Sequence, residues 1–173
     1  MNRTFLFGTI AVALIGLGLL AYTQLGSTSK GGSVAWVSFN EGMTKAKAEN
    51  KKVVLDVYTD WCSWCKKMDA EVYTDPAVAK LLQEKFVAIK LNAEASSSIS
   101  YDNTSFTNAE FSQALGVTGY PATVFFGTDT KPITLLPGYV DAERFATVLR
   151  YIGDDHYKSI SFDDYLAKTT QVD

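Results

Sequence analysis

The chain of 173 residues has very little histidine and cysteine, and this scarcity limits the sites that it can form. A structural zinc ion needs four ligands, which are usually cysteine and histidine side chains. This sequence offers two cysteines, Cys62 and Cys65, and one histidine, His156, which lies far from them along the chain. We therefore predict no metal site and assign no chemical role to His156.

Charge is also limited in this chain, both in amount and in clustering. Charged residues make up 20% of the sequence, the formal net charge is −3, and the lysines and arginines form no basic cluster. A protein that binds nucleic acid needs a concentrated positive surface, so we predict no nucleic-acid partner. The hydrophobic content of 47% is sufficient for a folded core, and the length fits one domain with additional segments.

A long hydrophobic run lies near the N-terminus, where Phe5 to Tyr22 contain no charged residue. Its eighteen residues exceed the apolar region of a signal peptide, about 7–15 residues, and approach a membrane-spanning helix of about 20 residues. No clear small-x-small cleavage site follows the run. We predict a signal anchor over residues 1–22, with a cleaved signal peptide as the alternative, and a flexible polar linker over residues 23–33.

The charges around this run predict its orientation in the membrane. Arg3 precedes it, and only Lys30 lies close behind it. Positive residues favour the cytoplasmic side, so we expect everything after Tyr22 to lie outside, at the periplasmic face of the inner membrane. Cysteines in such a compartment can persist as a disulfide.

Both cysteines lie in the segment Thr59 to Met68, which reads TDWCSWCKKM. Cys62 and Cys65 are two residues apart, and each follows a tryptophan, Trp61 or Trp64. A strand-like run, VVLDVYT, precedes them, and a helix-compatible stretch, SWCKKMDAEVY, follows. At a helix N-terminus, unpaired N–H groups and the helix dipole stabilise a thiolate, so the first cysteine can attack at neutral pH. We predict a redox-active pair whose second cysteine forms or releases the disulfide.

Three other interpretations of the pair stay open. A structural disulfide here would close a loop of four residues, worth roughly 2 kcal/mol against about 4.7 kcal/mol for a 100-residue loop. Half of a zinc site would lack its other ligands. Two buried, unreactive cysteines would not account for the flanking pattern. We favour the redox-active pair over all three.

The run Val53 to Thr59 is almost entirely apolar, which is typical of a central strand covered on both faces. Asp56 interrupts it, and a buried carboxylate needs a partner or a raised pKa. We predict a buried proton acceptor behind the cysteines, with an edge strand and a solvated Asp56 as the alternative. A second strand, Phe86 to Asn92, carries Lys90, which approaches Asp56 if the two strands are neighbours. The alternative is a lysine that extends to solvent.

Local signals predict the other elements of the domain. The predicted elements are a strand at Val34 to Phe39, a helix capped by Asn40, a helix starting at Asp75-Pro76, a helix with the capping box Thr107 to Glu110 and a stop at Gly116, a hairpin of Ala122 to Phe126 with Ile133 to Leu136, a helix from Asp141 to Gly153, and a short helix capped at Ser161 to Asp164. Ala93 to Phe106 is polar, serine-rich and without a period. We predict an exposed loop there, either a surface insertion or a partner-contact segment.

Strands that alternate with helices and end in a hairpin and a helix indicate an α/β domain with a central mixed sheet flanked by helices. With WC-x-x-C at the first strand–helix junction and a Gly-Tyr-Pro sequence ending at Pro121, the chain resembles thioredoxin-fold proteins from about Val34 to Ile152. DVYTDWCSWCKKMDAEVYTDPAVAKLL and GYVDAERFATVLR are similar to the C-terminal thioredoxin-like domain of DsbD-type thiol:disulfide interchange proteins. We place the thioredoxin-like domain at residues 34–153 and a C-terminal extension with a short helix at residues 154–173.

The resemblance implies roles for the residues around the cysteines. It implies that Cys62 is the exposed nucleophile, that Cys65 is the resolving thiol, and that Asp56 is the buried acid behind them. It also implies that the Tyr120–Pro121 peptide bond is cis and that Pro121 lines the substrate groove. The only redox group implied is the Cys62–Cys65 disulfide, without a separate cofactor.

Asp69 falls where these domains also carry an acidic residue. It follows Cys65 by four residues and Cys62 by seven, so it lies on the same helical face and would help to set the thiol pKa values. The alternative is a solvated surface charge. Lys90 and the two flanking tryptophans complete the predicted supporting residues.

The sequence departs from the family in three respects. Ser63-Trp64 separates the cysteines instead of the Gly-Pro of ordinary thioredoxins, which leaves the redox potential and the net direction open. The segment 93–106 is longer than in a minimal thioredoxin. The multi-span electron-conducting domain of DsbD-type proteins is absent, so we expect electrons from a separate membrane donor of the DsbD or CcdA type.

These observations predict a membrane-tethered, extracytoplasmic thiol–disulfide oxidoreductase that reduces disulfide-bearing protein substrates through Cys62 and Cys65. One alternative is a disulfide oxidase or isomerase that uses the same residues in the opposite direction. Another is a non-catalytic copper-binding or assembly factor with the thiols as soft ligands. The nearest further soft ligand is Met68, for which a place in the core is the better prediction.

Overall fold

The computed structural model describes residues 33–169. Its elements in chain order are α1 (Phe39–Glu49), β1 (Lys52–Tyr58), α2 (Ser63–Glu71), α3 (Pro76–Lys85), β2 (Phe86–Asn92), β3 (Ser98–Tyr101), β4 (Thr104–Thr107), α4 (Asn108–Ala114), β5 (Ala122–Phe126), β6 (Pro132–Pro137), α5 (Ala142–Gly153), a 3₁₀ turn (His156–Lys158) and α6 (Phe162–Thr169). The predicted signal anchor and nearly all of the predicted linker lie outside the described residues. Among the residues that are described, no helix combines the length and the apolar character needed to cross a membrane.

The main sheet has four strands in the order β2-β1-β5-β6. β1 pairs in parallel with β2 and antiparallel with β5, and β6 pairs antiparallel with β5. The sheet is therefore mixed, as the sequence predicts, and β1 is a central strand. This position excludes the edge-strand alternative for Asp56. It also explains the apolar character of β1, because both faces of the sheet are covered.

Two apolar clusters lie on opposite faces of the sheet because side chains alternate along each strand. Val53, Leu55 and Val57 of β1 pack in the cluster that contains side chains of α1 and α4. Val54 packs in the cluster that contains side chains of α2, α3 and α5. Asp56 follows Val54 in this alternation, so its side chain lies on the face covered by α2.

Helix starts follow the capping signals in the sequence, because a side-chain oxygen accepts a backbone N–H of the first turn. The predicted caps are confirmed at Asp75 for α3, Thr107 with Glu110 for α4, Asp141 for α5 and Ser161 for α6. Gly116 follows α4 with a φ of 83°, a conformation that favours glycine and ends the helix. Local rules therefore position the helices that cover the sheet.

The predicted strand at Val34 to Phe39 is wrong. Only Val37 contributes a single parallel bridge, to Ile89, and α1 already begins at Phe39. The predicted cap is also wrong, because Ser38 occupies the cap position and makes no side-chain hydrogen bond there. Asn40 instead lies within α1, where its amide donates to Ser98 O and accepts from Ser100 N. The Asn40 side chain, which local rules predict as a helix cap, is therefore used in a long-range contact with β3.

The loop predicted at Ala93 to Phe106 is confirmed as far as residue 97 and wrong from Ser98 onward, because β3 and β4 form an antiparallel hairpin there. Ile99 is buried in the cluster beside α1 and α4, and Phe106 and Tyr101 pack against that cluster. Serine and threonine side chains alternate with these apolar residues and face outward. The alternation typical of a strand is shown by these three apolar side chains alone, so it is difficult to recognise among the many serines.

We expect Gly42→Ala to destabilise the protein, because α1 lies very close to β2 at this residue. An added Cβ would overlap the side chain of Ile89 and approach Val37 Cγ2 to 3.0 Å. Ile89 is fully buried and cannot move away freely. Urea unfolding should show a loss of about 1–3 kcal/mol in the free energy of unfolding.

The matched control for this prediction is Gly119→Ala, where an added Cβ meets no atom within 4 Å. That substitution should change the free energy of unfolding by less than about 1 kcal/mol. Equal effects of the two substitutions would show that α1 and β2 are not in close contact at Gly42.

Candidate active site

The two cysteines form a disulfide bond at the start of α2, with their Cα atoms 5.3 Å apart. β1 ends at Tyr58, and residues 59–62 turn the chain into α2 at Ser63. The structure therefore contains the strand–helix junction that the sequence predicts. The interpretation of two unconnected core cysteines is excluded.

Cys62 occupies the N-cap position of α2, where backbone N–H groups have no partner within the helix. Its Sγ accepts the N–H of Cys65 at 3.0 Å, and its carbonyl accepts the N–H of Lys66 at 3.2 Å. When the disulfide is reduced, the same N–H and the helix dipole face the Cys62 sulfur. Both favour a negative charge on that sulfur, which agrees with the predicted role of Cys62 as the nucleophile, and that role stays a prediction.

The expectation that Cys62 is exposed is wrong for the disulfide form, because Cys62 and Cys65 are each only 4% exposed. The reason is local, since the Cys62 sulfur turns back onto the helix N-terminus. Exposure therefore does not distinguish the two cysteines in this state. Their difference lies in the N-cap position of Cys62.

Trp61 and Trp64 flank the disulfide and are far more exposed, at 65% and 55%. The Trp61 ring lies 6.0 Å from the Tyr120 ring, and its Nε1 donates to Glu94 at 2.9 Å. The Trp64 ring lies 5.3 Å from that of Tyr139. The four aromatic rings thus form two pairs, one on each tryptophan beside the disulfide.

The Trp64 pair carries a positive charge, because Lys67 Nζ lies 5.1 Å from the centre of the Trp64 ring and 5.1 Å from that of Tyr139. Such cation–π contacts hold flat side chains in place at a surface. The sequence analysis missed Lys67, Tyr139 and Glu94, because no local pattern indicates that they approach the tryptophans.

Pro121 follows Tyr120 through a cis peptide bond. Ala122, the next residue, pairs with Val57 near the end of β1, directly before the turn that carries the cysteines. The strand pairing therefore brings Pro121 to the end of the sheet where the disulfide lies. The contact between Tyr120 and Trp61 joins the same two segments.

Asp56 is 2% exposed and lies in one row across three strands, opposite Lys90 of β2 and Thr123 of β5. Lys90 Nζ is 3.7 Å from Asp56 Oδ2, so the predicted approach of the two side chains is confirmed. Burial raises the pKa of Asp56 to about 6, and the charge of Lys90 opposes that rise. A carboxyl with this pKa can accept a proton at neutral pH and release it again.

Asp69, the acidic residue predicted on the face of the cysteines, forms an ion pair with Lys90. Its negative charge raises the pKa of Asp56. The sequence therefore correctly marks Asp69 as more than an isolated surface charge. The structure connects it to Asp56 through Lys90, and its effect on the thiols stays a prediction.

Tyr73 is not among the predicted site residues, yet it is buried beside Lys90, whose Nζ lies 5.9 Å from the centre of its ring and 3.7 Å from Asp56 Oδ2. Tyr73 lies beyond the end of α2, and Thr123 reaches Asp56 only through the register of β5. A spacing of four residues between Asp69 and Tyr73 was a usable signal for a shared helical face. No signal in the sequence indicated Thr123.

Among the described residues, no group of three or more histidine, cysteine, aspartate or glutamate side chains is arranged to hold a metal ion. Met68, the nearest further soft ligand, packs in the core with Val54 and Val72 as predicted. It does not join the cysteines at the surface.

The family described as "Thioredoxin-like domain" matches residues 39–153. The chain is 29% identical over 160 residues to the thiol:disulfide interchange protein DsbD of Actinobacillus pleuropneumoniae serotype 5b, covering 87% of this chain and 26% of the relative. It is 27% identical over 150 residues to DsbD of Escherichia coli K12, covering 82% and 25%. The chain thus spans about a quarter of the length of these relatives.

Solved structures with the same fold include a thioredoxin-fold protein from Helicobacter pylori, with a TM-score of 0.60, 22% identity and coverage of 83% of this chain and 88% of that one. A putative disulphide-isomerase from Bacteroides thetaiotaomicron gives a TM-score of 0.56 at 25% identity, covering 70% of this chain and 93% of that one. The first of these likenesses concerns the fold alone.

We expect Asp56→Asn to stabilise the folded protein at neutral pH. The pKa of Asp56 rises from 3.8 to about 6 on folding, so the folded state binds this proton more tightly than the unfolded state. The resulting stability is complete below about pH 4 and is lost as the pH rises to about 6, a loss of about 3 kcal/mol. Asparagine does not ionise, and Lys90 keeps its partner Asp69 in the variant.

Urea unfolding between about pH 4 and pH 8 measures this effect. The free energy of unfolding of the variant, relative to that of the native protein, should increase from about pH 4 to somewhat above pH 6 and then stay constant up to about pH 8. Asp163→Asn, in the exposed part of α6, is the control and should show no such trend. A difference between Asp56→Asn and the native protein that is equal at both ends of the interval would contradict the raised pKa.

Proposed function

The chain belongs to the thioredoxin-like domain family, and we propose that it is a thiol–disulfide oxidoreductase that reduces protein disulfides on the extracytoplasmic side of a membrane. The observation that carries the proposal is the disulfide at the N-terminus of α2, where the Cys62 sulfur accepts a backbone N–H. A sulfur in this position is stabilised as a thiolate, which is the attacking species in disulfide exchange.

The reaction begins from the reduced pair. The Cys62 thiolate attacks one sulfur of a substrate disulfide, the substrate S–S bond breaks, and the released substrate thiolate takes up a proton. A mixed disulfide then joins Cys62 to the substrate. Cys65 loses its proton and attacks the Cys62 sulfur, which releases the second substrate thiol and leaves the Cys62–Cys65 disulfide. Two electrons pass from the protein to the substrate.

Asp56 is the base for the second attack in this proposal. Its pKa of about 6 leaves it mostly ionised at neutral pH, so it can accept the Cys65 proton directly or through a water molecule. Lys90, 3.7 Å away, limits the cost of the negative charge in the core. The protonated form stays accessible, because burial keeps the pKa close to neutrality.

In this proposal, the substrate binds to the aromatic surface around the disulfide. Trp61 and Trp64 are the large hydrophobic side chains of the described residues that are exposed, and both adjoin the cysteines. Together with Tyr120 and Pro121 they offer an apolar surface to a polypeptide that carries a disulfide. The breadth of this surface fits a protein substrate rather than a small thiol.

The apolar run Phe5 to Tyr22 supports the proposed location, since it fits an anchor in the inner membrane with the domain on the periplasmic face. A separate membrane protein of the DsbD or CcdA type would then reduce the Cys62–Cys65 disulfide again. The name of the relatives, thiol:disulfide interchange protein, supports this electron path.

The likeness to a putative disulphide-isomerase supports a second candidate function, in which the same cysteines oxidise or rearrange disulfides. In that case Cys62 and Cys65 would keep their roles, and only the redox potential and the electron partner would differ.

We expect Cys65→Ala to accumulate mixed disulfides with disulfide-bearing proteins through Cys62. The first attack needs only the Cys62 thiolate, whereas release needs the Cys65 thiol. Non-reducing gel electrophoresis after incubation with oxidised insulin should show adducts that dithiothreitol removes, and peptide mass spectrometry should place the bond at Cys62.

Cys62→Ala is the matched control, and it should form no more adduct than the variant that lacks both cysteines. Adducts that form through Cys65 in Cys62→Ala, and not through Cys62 in Cys65→Ala, would reverse the two roles. The absence of adducts in every variant would contradict the proposed function.

A further inference from the structure

Tyr73 is a buried tyrosine that the reaction described above does not use. Its side chain is 4% exposed, and its ring contacts two other aromatic rings edge-on, that of Trp36 at 4.8 Å and that of Phe145 at 5.7 Å. These contacts fix the ring between the segment before α1 and the helix α5. A phenylalanine would satisfy all of them, so packing does not explain the hydroxyl group.

The hydroxyl of Tyr73 is buried and has no hydrogen-bond partner among the described residues. Its ring lies near Asp56, because Lys90 Nζ is 5.9 Å from the centre of the Tyr73 ring and 3.7 Å from Asp56 Oδ2. Asp56 Oδ1 and Thr123 Oγ1 also lack direct partners. A buried polar group without a partner costs free energy, so such groups are rare in folded proteins. Three such groups lie on the same face of the sheet, with Thr123 opposite Asp56 in the register of β1 and β5 and Tyr73 in the cluster that covers this face.

The two oxygens of Asp56 are in different surroundings. Lys90 Nζ is near Oδ2, at 3.7 Å, whereas Oδ1 has no hydrogen-bond partner among the described residues. Tyr73 offers an O–H donor on the same face of the sheet, because it packs in the cluster that contains side chains of α2, α3 and α5. The hydroxyl can rotate about its C–O bond and direct its O–H toward different acceptors while the ring stays in place.

We propose that Tyr73 is a positioning residue, whose hydroxyl donates a hydrogen bond to ionised Asp56 and holds the carboxylate in place while Cys65 attacks the mixed disulfide. This inference rests on the proposed function. When Asp56 has taken the proton, its carboxyl no longer needs the donor, and the Tyr73 hydroxyl can turn to Thr123. Thr123 thus provides a second resting position for the same hydroxyl.

The charges around Asp56 agree with this role. Lys90 faces it from β2, Asp69 from α2 and Tyr73 from the turn after α2, while β5 contributes only the uncharged Thr123. Burial raises the pKa of Asp56, the charge of Lys90 and the nearby Tyr73 hydroxyl oppose that rise, and the charge of Asp69 adds to it. The pKa of Tyr73 itself lies well above its ordinary value, because the ring is buried and Asp56 is negative, so the hydroxyl keeps its proton and stays a donor.

Tyr73→Phe tests the inference, because it removes the hydroxyl and keeps the ring. The pKa of Asp56, followed by carboxyl carbon NMR in the oxidised protein, should rise. The rate at which Cys65 resolves the mixed disulfide with glutathione should then follow the ionised fraction of Asp56. For an upward shift of about one pH unit it falls roughly fivefold at pH 6 and by less than about 1.2-fold at pH 8.

Tyr151→Phe is the matched control, since it removes a tyrosine hydroxyl that donates to Ile160 O at 2.7 Å on another part of the domain. It should leave the pKa of Asp56 and the pH profile unchanged. Thr123→Val supplies a second variant and should lower the pKa of Asp56, opposite to Tyr73→Phe, because it removes the position to which the Tyr73 hydroxyl turns when Asp56 is protonated. Asp56→Asn should remove the part of the pH dependence that has its midpoint near pH 6 and leave the part that comes from ionisation of a thiol.

An unchanged pKa of Asp56 in Tyr73→Phe would overturn the inference. So would a resolution rate that falls equally at every pH, because that result indicates a merely structural role. The NMR measurement of the Asp56 pKa needs no enzyme activity. It therefore tests the inference even if the native protein does not exchange disulfides and the proposed function is wrong. If Tyr73→Phe does not fold, Thr123→Val decides, and an unchanged pKa in that variant overturns the inference.

Discussion

The burial of one ionisable group, the carboxyl of Asp56, is the constraint on which the rest of the site depends. β1 has a partner strand on each side and helices on both faces, so this carboxyl cannot reach bulk water. Its charge therefore has to be balanced inside the protein. Lys90 provides the balance from the neighbouring strand, at the register position opposite Asp56. Lys90 in turn pairs with Asp69 of α2, the helix that begins beside the disulfide.

The ion pairs of Lys90 with Asp56 and with Asp69 connect the sheet to α2, the helix that begins at the disulfide. The proposed role of Asp56 as a base would account for a carboxyl at a position where asparagine is expected to give a more stable fold. Burial keeps the pKa of Asp56 near 6, which is useful for a group that takes and returns a proton at neutral pH. The cost in stability and the capacity for proton transfer thus have the same physical origin.

The exposed side of the site has a different chemistry. The two cysteines are nearly buried, while Trp61 and Trp64 extend into solvent beside them. In the proposed function, the aromatic surface would contact the polypeptide, and the buried charged groups would act on the proton afterwards. Such a separation would let the protein accept varied sequences at the surface.

Much of this arrangement follows from local patterns in the sequence. The near-continuous apolar run around Asp56 correctly predicts a central strand, and the capping residues Asp75 and Asp141 correctly predict helix starts. The sequence fails where distant segments decide the structure. Asn40 does not cap α1 but hydrogen-bonds to Ser98 of β3. The alternation of apolar and polar residues around Ile99 is difficult to recognise because the segment is rich in serine. Thr123 lies opposite Asp56 only through the register of β1 and β5, which no local pattern specifies.

The reduction potential of the Cys62–Cys65 pair tests the central claim most directly, because the proposed direction of electron flow depends on it. The soluble domain would be equilibrated with dithiothreitol or glutathione mixtures, and the fraction of disulfide measured by mass spectrometry. A reductase that donates electrons to protein disulfides should have a potential near that of thioredoxin, about −270 mV. A potential near about −120 mV would mean that the disulfide is a strong oxidant, and it would contradict the reductase function.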